Sequence, residues 1–157
     1  GMVQVDQDMR TRSEEDDNFW DYKVDKNNTK RMKEIISEIG WPSISKVGKS
    51  GAENAWLLVQ HADHDIAFQR QCLELMKALP EGEVKRQNIA YLEDRVLVKE
   101  NGFQTYGTQF NQKGGRLIPK PIKDPEHVDE RRKKMGLGTL EKGIQEMYKK
   151  YGIPHKE

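Results

Sequence analysis

Residues 50–79, SGAENAWLLVQHADHDIAFQRQCLELMKAL, decide the fold. Ser50-Gly51-Ala52-Glu53 has the capping-box pattern, in which a serine and a glutamate three positions on satisfy each other's free backbone N–H groups at a helix start. From Asn54 onward there is no glycine or proline until Pro80-Glu81-Gly82 ends the run. One stripe at helical spacing reads Ala55, Val59, Ala62, Ile66, Gln69, Leu73 and Met76, and its neighbour reads Leu58, His61, Asp65, Phe68, Cys72 and Leu75. Together they form a broad apolar face, so the spacing predicts one long helix packed into a core.

On the N-terminal side, Asn28-Thr29 reads as the cap of a helix carrying Met32, Ile35, Ile36 and Ile39, stopped by Gly40 ahead of Trp41-Pro42. Residues 1–17 are polar and end in the acidic run Glu14-Glu15-Asp16-Asp17, with Val5 and Met9 at a helical spacing; Gly1 ahead of Met2 reads as a tag remnant. On the C-terminal side a helix is expected from Glu83 to about Lys99, stopped by Asn101-Gly102. Thr105-Tyr106-Gly107-Thr108-Gln109-Phe110 is β-prone, residues 111–115 read as a turn, and Arg116-Leu117-Ile118 reads as a returning strand that Pro119 and Pro121 confine to an edge. Asp124-Pro125-Glu126 is a cap followed by proline at the first helical position, in a helix leading to Met135-Gly136. Thr139 opens a last helix with Leu140, Ile144, Met147, Tyr148 and Tyr151 on one stripe and Gly152 as its stop. The expectation is a mainly α fold: a single domain over residues 1–157, of about five helices with one small β-hairpin.

Composition bounds the function. Hydrophobic and charged residues each make up 34%, which suits amphipathic helices with solvated outer faces. With 27 basic against 26 acidic residues the net charge is +1, which argues against a nucleic-acid or membrane-surface binder. No apolar run is long enough for a spanning helix, and no signal-peptide pattern opens the chain. Cys72 is the lone cysteine, so neither an internal disulfide nor a cysteine zinc site can form. A soluble, cytoplasmic protein is expected.

His61, Asp65 and Gln69 interrupt the apolar face at successive intervals of four, so on one helix they stack along one side. Inward polar groups are destabilising unless hydrogen-bonded, by about 1–3 kcal/mol for each unsatisfied group. Two readings fit: a satisfied buried network, or a pocket in which Asp65 supports His61 as general base or ligand. His61-Ala62-Asp63-His64-Asp65 also invites a metal reading, but Asp63 and His64 fall off the stripe toward solvent and no zinc motif is present, so no metal ligand is assigned.

Further along, Asn88, Asp94 and Arg95 lie beside an apolar stripe of Ile89, Leu92 and Val96. Asp94-Arg95 reads either as a solvated pair or as a site where Arg95 holds a carboxylate or phosphate in a fork. Residues 104–109 carry almost only hydrogen-bonding side chains, and Gly107 permits close approach of a partner; a polar hairpin and a ligand-binding wall both fit. Gly114-Gly115 and Gly136-Leu137-Gly138 lack the context of phosphate loops. Cys72 reads as a small core residue, Arg131-Arg132-Lys133-Lys134 as solvated surface, and Trp20, Trp41 and Trp56 as packing residues.

Gly40-Trp41-Pro42, Gln60-His61-Ala62-Asp63, Leu92-Glu93-Asp94-Arg95 and Tyr106-Gly107-Thr108-Gln109, in this order, resemble a bacterial family classed only as a domain of unknown function. The resemblance runs from about Asp6 to Leu140, and Asp6, Gln7 and Arg10 fit an early Asp-Gln and Arg of the same pattern. It implies that these polar motifs are a family signature and hence a shared site that includes Gln7 and Arg10. It implies no reaction.

The function expected from these residues is small-molecule processing, by hydrolysis or group transfer, or ligand binding. The pocket is expected between the long helix, the helix starting at Glu83 and the hairpin. His61 would be the acid/base and Asp65 its orienting partner, with Gln69 and Asp94 lining the site. Arg95 would hold an anionic group, and Tyr106, Thr108 and Gln109 would supply hydrogen bonds to a small polar or anionic ligand. A non-catalytic protein-interaction module and a metal-dependent hydrolase centred on His61 are the alternatives. No cofactor is assigned.

Overall fold

Residues 50–79 do not form one helix. In a computed structural model of the chain they fold as the ends of two, Ile44–Gln60 (α2) and Ile66–Lys77 (α3), joined by residues 61–65. The cause is Asp65. Its backbone is non-helical (φ −136°, ψ 78°), and its carboxylate accepts the Phe68 N–H at 3.0 Å, making it the N-cap of α3. An aspartate that bonds the backbone three residues ahead competes with helix continuation, and here it wins. His61 closes α2 with its N–H on the Leu57 carbonyl, and tight turns Ala62 N–H to Val59 O and Asp65 N–H to Ala62 O fill the gap.

The structure describes residues 18–152, and side chains from residue 23. The expectations on residues 1–17, with Gln7 and Arg10, and on the Trp20 side chain lie outside the described residues. Two compact units divide the chain, Gly1–Val84 and Lys85–Glu157.

In the first unit, Asn18–Ile39 (α1) begins well before the expected cap, so Asn28 and Thr29 sit inside the helix with their side chains buried beside Met32. Gly40 ends α1 as expected, with its N–H on the Ile36 carbonyl. Within α2, Gly48 is non-helical (φ 79°, ψ 169°), so the unbroken helix begins only after it, close to the Ser50 start read from sequence. Ala55, Leu58, Val59, Ala62, Phe68, Cys72, Leu73 and Met76 are buried. Glu83, expected to open the next helix, instead accepts the Ser45 hydroxyl at 2.6 Å, and its carbonyl accepts the Ile44 N–H.

In the second unit, Arg86–Asn101 (α4) buries Asn88, Ala90, Leu92, Asp94 and Val96 and ends at Gly102. The hairpin is Phe110–Lys113 (β1) against Arg116–Pro119 (β2), antiparallel, with Phe110 opposite Pro119 and Lys113 opposite Arg116. Gly114 and Gly115 form its two-residue turn with φ of 58° and 75°, the doubly positive geometry that matches strand twist and that side chains disfavour. The expected first strand over residues 105–110 is displaced, because the backbone N–H groups of Thr105, Tyr106 and Thr108 bond the Asp94 carboxylate instead of a strand. A 3-10 turn, Pro125–His127, leads into Val128–Lys134 (α5). Asp124 does not cap it; its carboxylate accepts from His127 Nδ1 at 2.9 Å. Thr139 caps Leu140–Lys150 (α6) by accepting the Lys142 N–H at 3.3 Å, and the Tyr148 hydroxyl of α6 accepts the Leu117 N–H of β2 at 2.8 Å. The fold is mainly α with one hairpin, and six helices are present among the described residues, the break at residues 61–65 accounting for the sixth.

Candidate functional site

The motif residues of the second unit come together around one buried carboxylate. Asp94 has no exposed surface. Its Oδ1 accepts the N–H groups of Thr105 (2.8 Å) and Tyr106 (3.0 Å), and its Oδ2 accepts the Thr108 N–H (3.0 Å) and hydroxyl (2.8 Å). Burial pushes the Asp94 carboxyl above its ordinary range, and these four donors oppose that shift without reversing it. Gln104, equally buried, works as a surrogate strand: its Oε1 accepts the Gln109 N–H and its Nε2 donates to the Gln109 and Lys120 carbonyls, at 2.8–2.9 Å.

Arg131 Nε donates to the Thr105 carbonyl (3.0 Å) and Arg132 Nη1 to the Tyr106 carbonyl (2.8 Å), so the two arginines of the basic run brace this loop, with Arg132 buried, while Lys133 and Lys134 are exposed as expected. Gly107 (φ 72°) lets the loop pass so close to Leu140 and Ile122 that an added Cβ would lie 2.8 Å and 3.1 Å from their methyls. Gln109 Nε2 donates to the Thr108 hydroxyl at 3.2 Å. Burial, then Glu93, pushes the Tyr106 phenol up to about 12. Arg95 is half-buried on α4 and is itself partnered. Asp94, Tyr106, Thr108 and Gln109 therefore meet, in an arrangement whose hydrogen bonds close on the protein's own backbone.

In the first unit His61, Asp65 and Gln69 are gathered at the connection 61–65 rather than stacked along one helix face. Asp65 Oδ1 serves the Phe68 N–H and Oδ2 accepts from Lys33 Nζ of α1 at 2.7 Å, so both oxygens have structural partners. Lys33 first, then the Phe68 N–H, holds the Asp65 carboxyl below its ordinary range. His61 is half-buried and partnered. Asp63 and His64, expected to face solvent, are half-buried too. Burial, opposed by Asp65 and reinforced by Lys26 and Lys33, keeps the His64 imidazole below its ordinary range, hence neutral at pH 7.

Gln69 is fully buried, and its Nε2 reaches back to Val59 O (3.1 Å), Gln60 O (3.4 Å) and Asp63 Oδ1 (3.1 Å), tying α3 to the end of α2. Its Oε1 has no hydrogen-bond partner among the described residues, and neither do Gln60 Oε1, Thr29 Oγ1 and Asn28 Nδ2. Relative exposures are 0% for Gln69, 8% for Gln60 and 4% for Thr29. Lys26, Thr29 and Lys33 succeed one another at intervals of three and four, one side of α1, and both lysines act on His64. Lys33 ties α1 to the connection through its 2.7 Å bond to Asp65, and Thr29 lies one turn before it on the helix. Sequence reasoning missed Lys33, read Thr29 only as a helix cap, named Gln60 only within a motif and turned His64 toward solvent. Helical spacing from Lys33 was the available signal, but only the fold pairs it with Asp65.

Burial pushes the Cys72 thiol up to about 12, so it stays protonated at neutral pH. Among the described residues no group of three or more His, Cys, Asp or Glu side chains is placed to hold a metal ion, and no helix is long and apolar enough to cross a membrane. No curated protein and no solved structure matches the chain. A family does match, over residues 19–156, nearly the whole sequence, and the chain thus belongs to DUF6624, a family of unknown function.

Proposed function

We propose that the chain binds a small polar molecule against residues 60–69 of its first unit. The observation that supports this reading is Gln69: a fully buried carboxamide whose nitrogen meets three acceptors while its oxygen meets no donor among the described residues. An unsatisfied buried acceptor is destabilising by about 1–3 kcal/mol, and Gln60 Oε1, Thr29 Oγ1 and Asn28 Nδ2 are three further buried atoms of the first unit without a partner among the described residues. Apolar side chains of similar size would fill those positions without that penalty, so a bound molecule explains them better than packing does. In this reading His61, Asp65 and Gln69 surround the ligand, and the Gly40–Pro42, Gln60–Asp63, Glu93–Arg95 and Tyr106–Gln109 motifs are the family's signature. Asp94, Thr108 and Gln109 fix their own loop in the second unit. Hydrolysis or group transfer on that ligand, with His61 as acid/base, is the catalytic form of the same proposal, set in a reducing bacterial cytoplasm.

The test is a melting-temperature screen of small polar metabolites on the unmodified protein and on Gln60→Met, which keeps side-chain length and helix propensity but removes one unpartnered oxygen. A ligand at 100 times its Kd stabilises by about 2.7 kcal/mol. For a chain of this size that raises the midpoint by roughly 5–10 °C. Compounds that shift the unmodified protein and not Gln60→Met support the reading. A screen with no shifts, or with equal shifts in both proteins, overturns it.

A further inference from the structure

The net charge of +1, which at the level of the whole sequence argues against a nucleic-acid partner, averages two unlike parts. Residues 1–84 carry 11 basic and 16 acidic residues, whereas residues 85–157 carry 16 basic and 10 acidic ones. The excess gathers at the hairpin. Between Glu100 and Asp124 stand four cations, Lys113, Arg116, Lys120 and Lys123, and no acid. None of the four forms an ion pair among the described residues.

Strand register sorts these residues. Asn111 stands opposite Ile118 and Lys113 opposite Arg116, and alternation places all four on one face, where all are exposed. The Lys120 N–H to Gln109 carbonyl bond continues the pairing and adds both residues, half-buried, to that face. The opposite face turns inward, with Leu117 buried and Phe110 and Pro119 half-buried. At the tip nothing lies within 4 Å of where a Cβ would stand on Gly114 or Gly115. The outward face is therefore a central Asn111–Ile118 pair with Lys113 and Arg116 on its tip side and Lys120 on the other.

We infer that this face binds duplex DNA, the ribbon lying in the major groove with Lys113, Arg116 and Lys120 on phosphates and Asn111 and Ile118 toward base edges. From Arg116 to Lys120 is about 13 Å at the usual rise per residue, which suits a groove about 12 Å wide that admits a two-stranded ribbon. A carboxamide can bond an adenine edge, and an aliphatic side chain can contact a thymine methyl. Other anionic partners fit less well. The deep major groove of duplex RNA shuts side chains out, and single strands need aromatic platforms that this face lacks. A membrane would find one aliphatic side chain to bury, and an acidic protein surface would leave the central pair without a role. The inference is independent of any ligand at residues 60–69.

The experiment is fluorescence anisotropy of labelled DNA duplexes of about 20 base pairs with the whole chain, between roughly 50 and 200 mM salt. Three phosphate contacts should give log Kobs a slope of about −3 against log salt. Lys113→Gln with Arg116→Gln should flatten the slope to about −1 and weaken binding at least tenfold at the lowest salt. Asn111→Ala should weaken the best-bound duplex about fivefold at unchanged slope. Lys149→Gln with Lys150→Gln, exposed on α6, should change neither quantity. No binding at the lowest salt overturns the inference, as does binding that the hairpin variant leaves intact. Equal or tighter binding of an RNA duplex, polyglutamate or phosphatidylserine vesicles also overturns it, in favour of that partner.

Discussion

Threonine-to-valine substitution at three positions reads out the hydrogen bonding of each hydroxyl, because the two side chains share a shape and differ only in the exchange of hydroxyl for methyl. At Thr29 the hydroxyl lies inside α1, almost wholly buried, with no partner among the described residues. Valine there removes a desolvated hydroxyl, a gain of about 1–3 kcal/mol, and buries one more methyl at little change in helix propensity. Thr29→Val should therefore raise stability by about 1–3 kcal/mol, which for a chain of this length moves the midpoint up by roughly 2–10 °C.

At Thr139 the same change removes the N-cap acceptor of the Lys142 N–H and should lower stability by about 0.5–2 kcal/mol. At Thr108 it removes one of four donors to a fully buried carboxylate, and the loss should be about 1.5–3 kcal/mol. Urea unfolding followed by circular dichroism measures all three, with an unchanged m-value as the check that only stability has moved. The reasoning fails if Thr29→Val loses 1 kcal/mol or more. A loss would mean that its hydroxyl holds a bond on which α1 depends, and the functional reading of Thr29 would go with it.

Asp65→Ala should lower stability by about 1–2 kcal/mol through loss of the α3 cap, whereas Asp65→Asn keeps the cap and loses only the half-exposed pair to Lys33, less than about 1 kcal/mol. Since the native Asp65 carboxyl is held below its ordinary range, its extra stability is complete above pH of about 4 and is lost as pH falls through the lower native value. The gap between the unmodified protein and Asp65→Asn, measured by urea midpoints from pH 7 downward, should therefore close below about pH 4; a gap that widens there contradicts the pairing. Asp94→Asn turns one acceptor into a donor facing the Thr108 N–H and should lower stability by about 2–3 kcal/mol, while leaving any ligand affinity of the first unit intact in calorimetric titration. Gly107→Ala combines a left-handed backbone with methyl contacts of 2.8 Å and 3.1 Å, and a melting point lowered by the equivalent of about 2–4 kcal/mol is expected; a neutral result would show that the loop yields.

The fold class was legible because it rests on periodicity and on stops that act locally: Gly40, Gly102, the Gly114-Gly115 turn and the Thr139 cap all work within a few residues of themselves. The break at residues 61–65 escaped because it contains neither glycine nor proline. The signal was present as Asp65 ahead of Ile66, a cap pattern masked by an apolar stripe that continues on both sides. The displaced strand escaped for a different reason. Residues 105–110 have strand propensity, but the carboxylate that claims their N–H groups stands on α4 and is invisible to a local reading. In the candidate site, the inward polarity of Gln69 was legible from spacing, while the Lys33–Asp65 pair, 32 positions apart, required the fold.

The two groups of buried polar residues differ in one property that assigns them different work. Asp94 accepts four hydrogen bonds from its own loop and Gln104 makes three, so their polarity is consumed in holding residues 104–109 where no regular strand forms. Gln60, Gln69, Thr29 and Asn28 keep buried polar atoms that nothing among the described residues meets. A saturated network stabilises whether or not anything binds, because its partners are covalently part of the chain. An unsaturated one destabilises the free protein and recovers that free energy only on binding, which makes the free energy available for affinity. Stability and ligand response should hence separate across the variants: Asp94→Asn lowers the first and spares the second, and Thr29→Val does the reverse. Variants in which the two quantities move together at both places would leave hydrogen-bond saturation without power to distinguish scaffold from site in this fold.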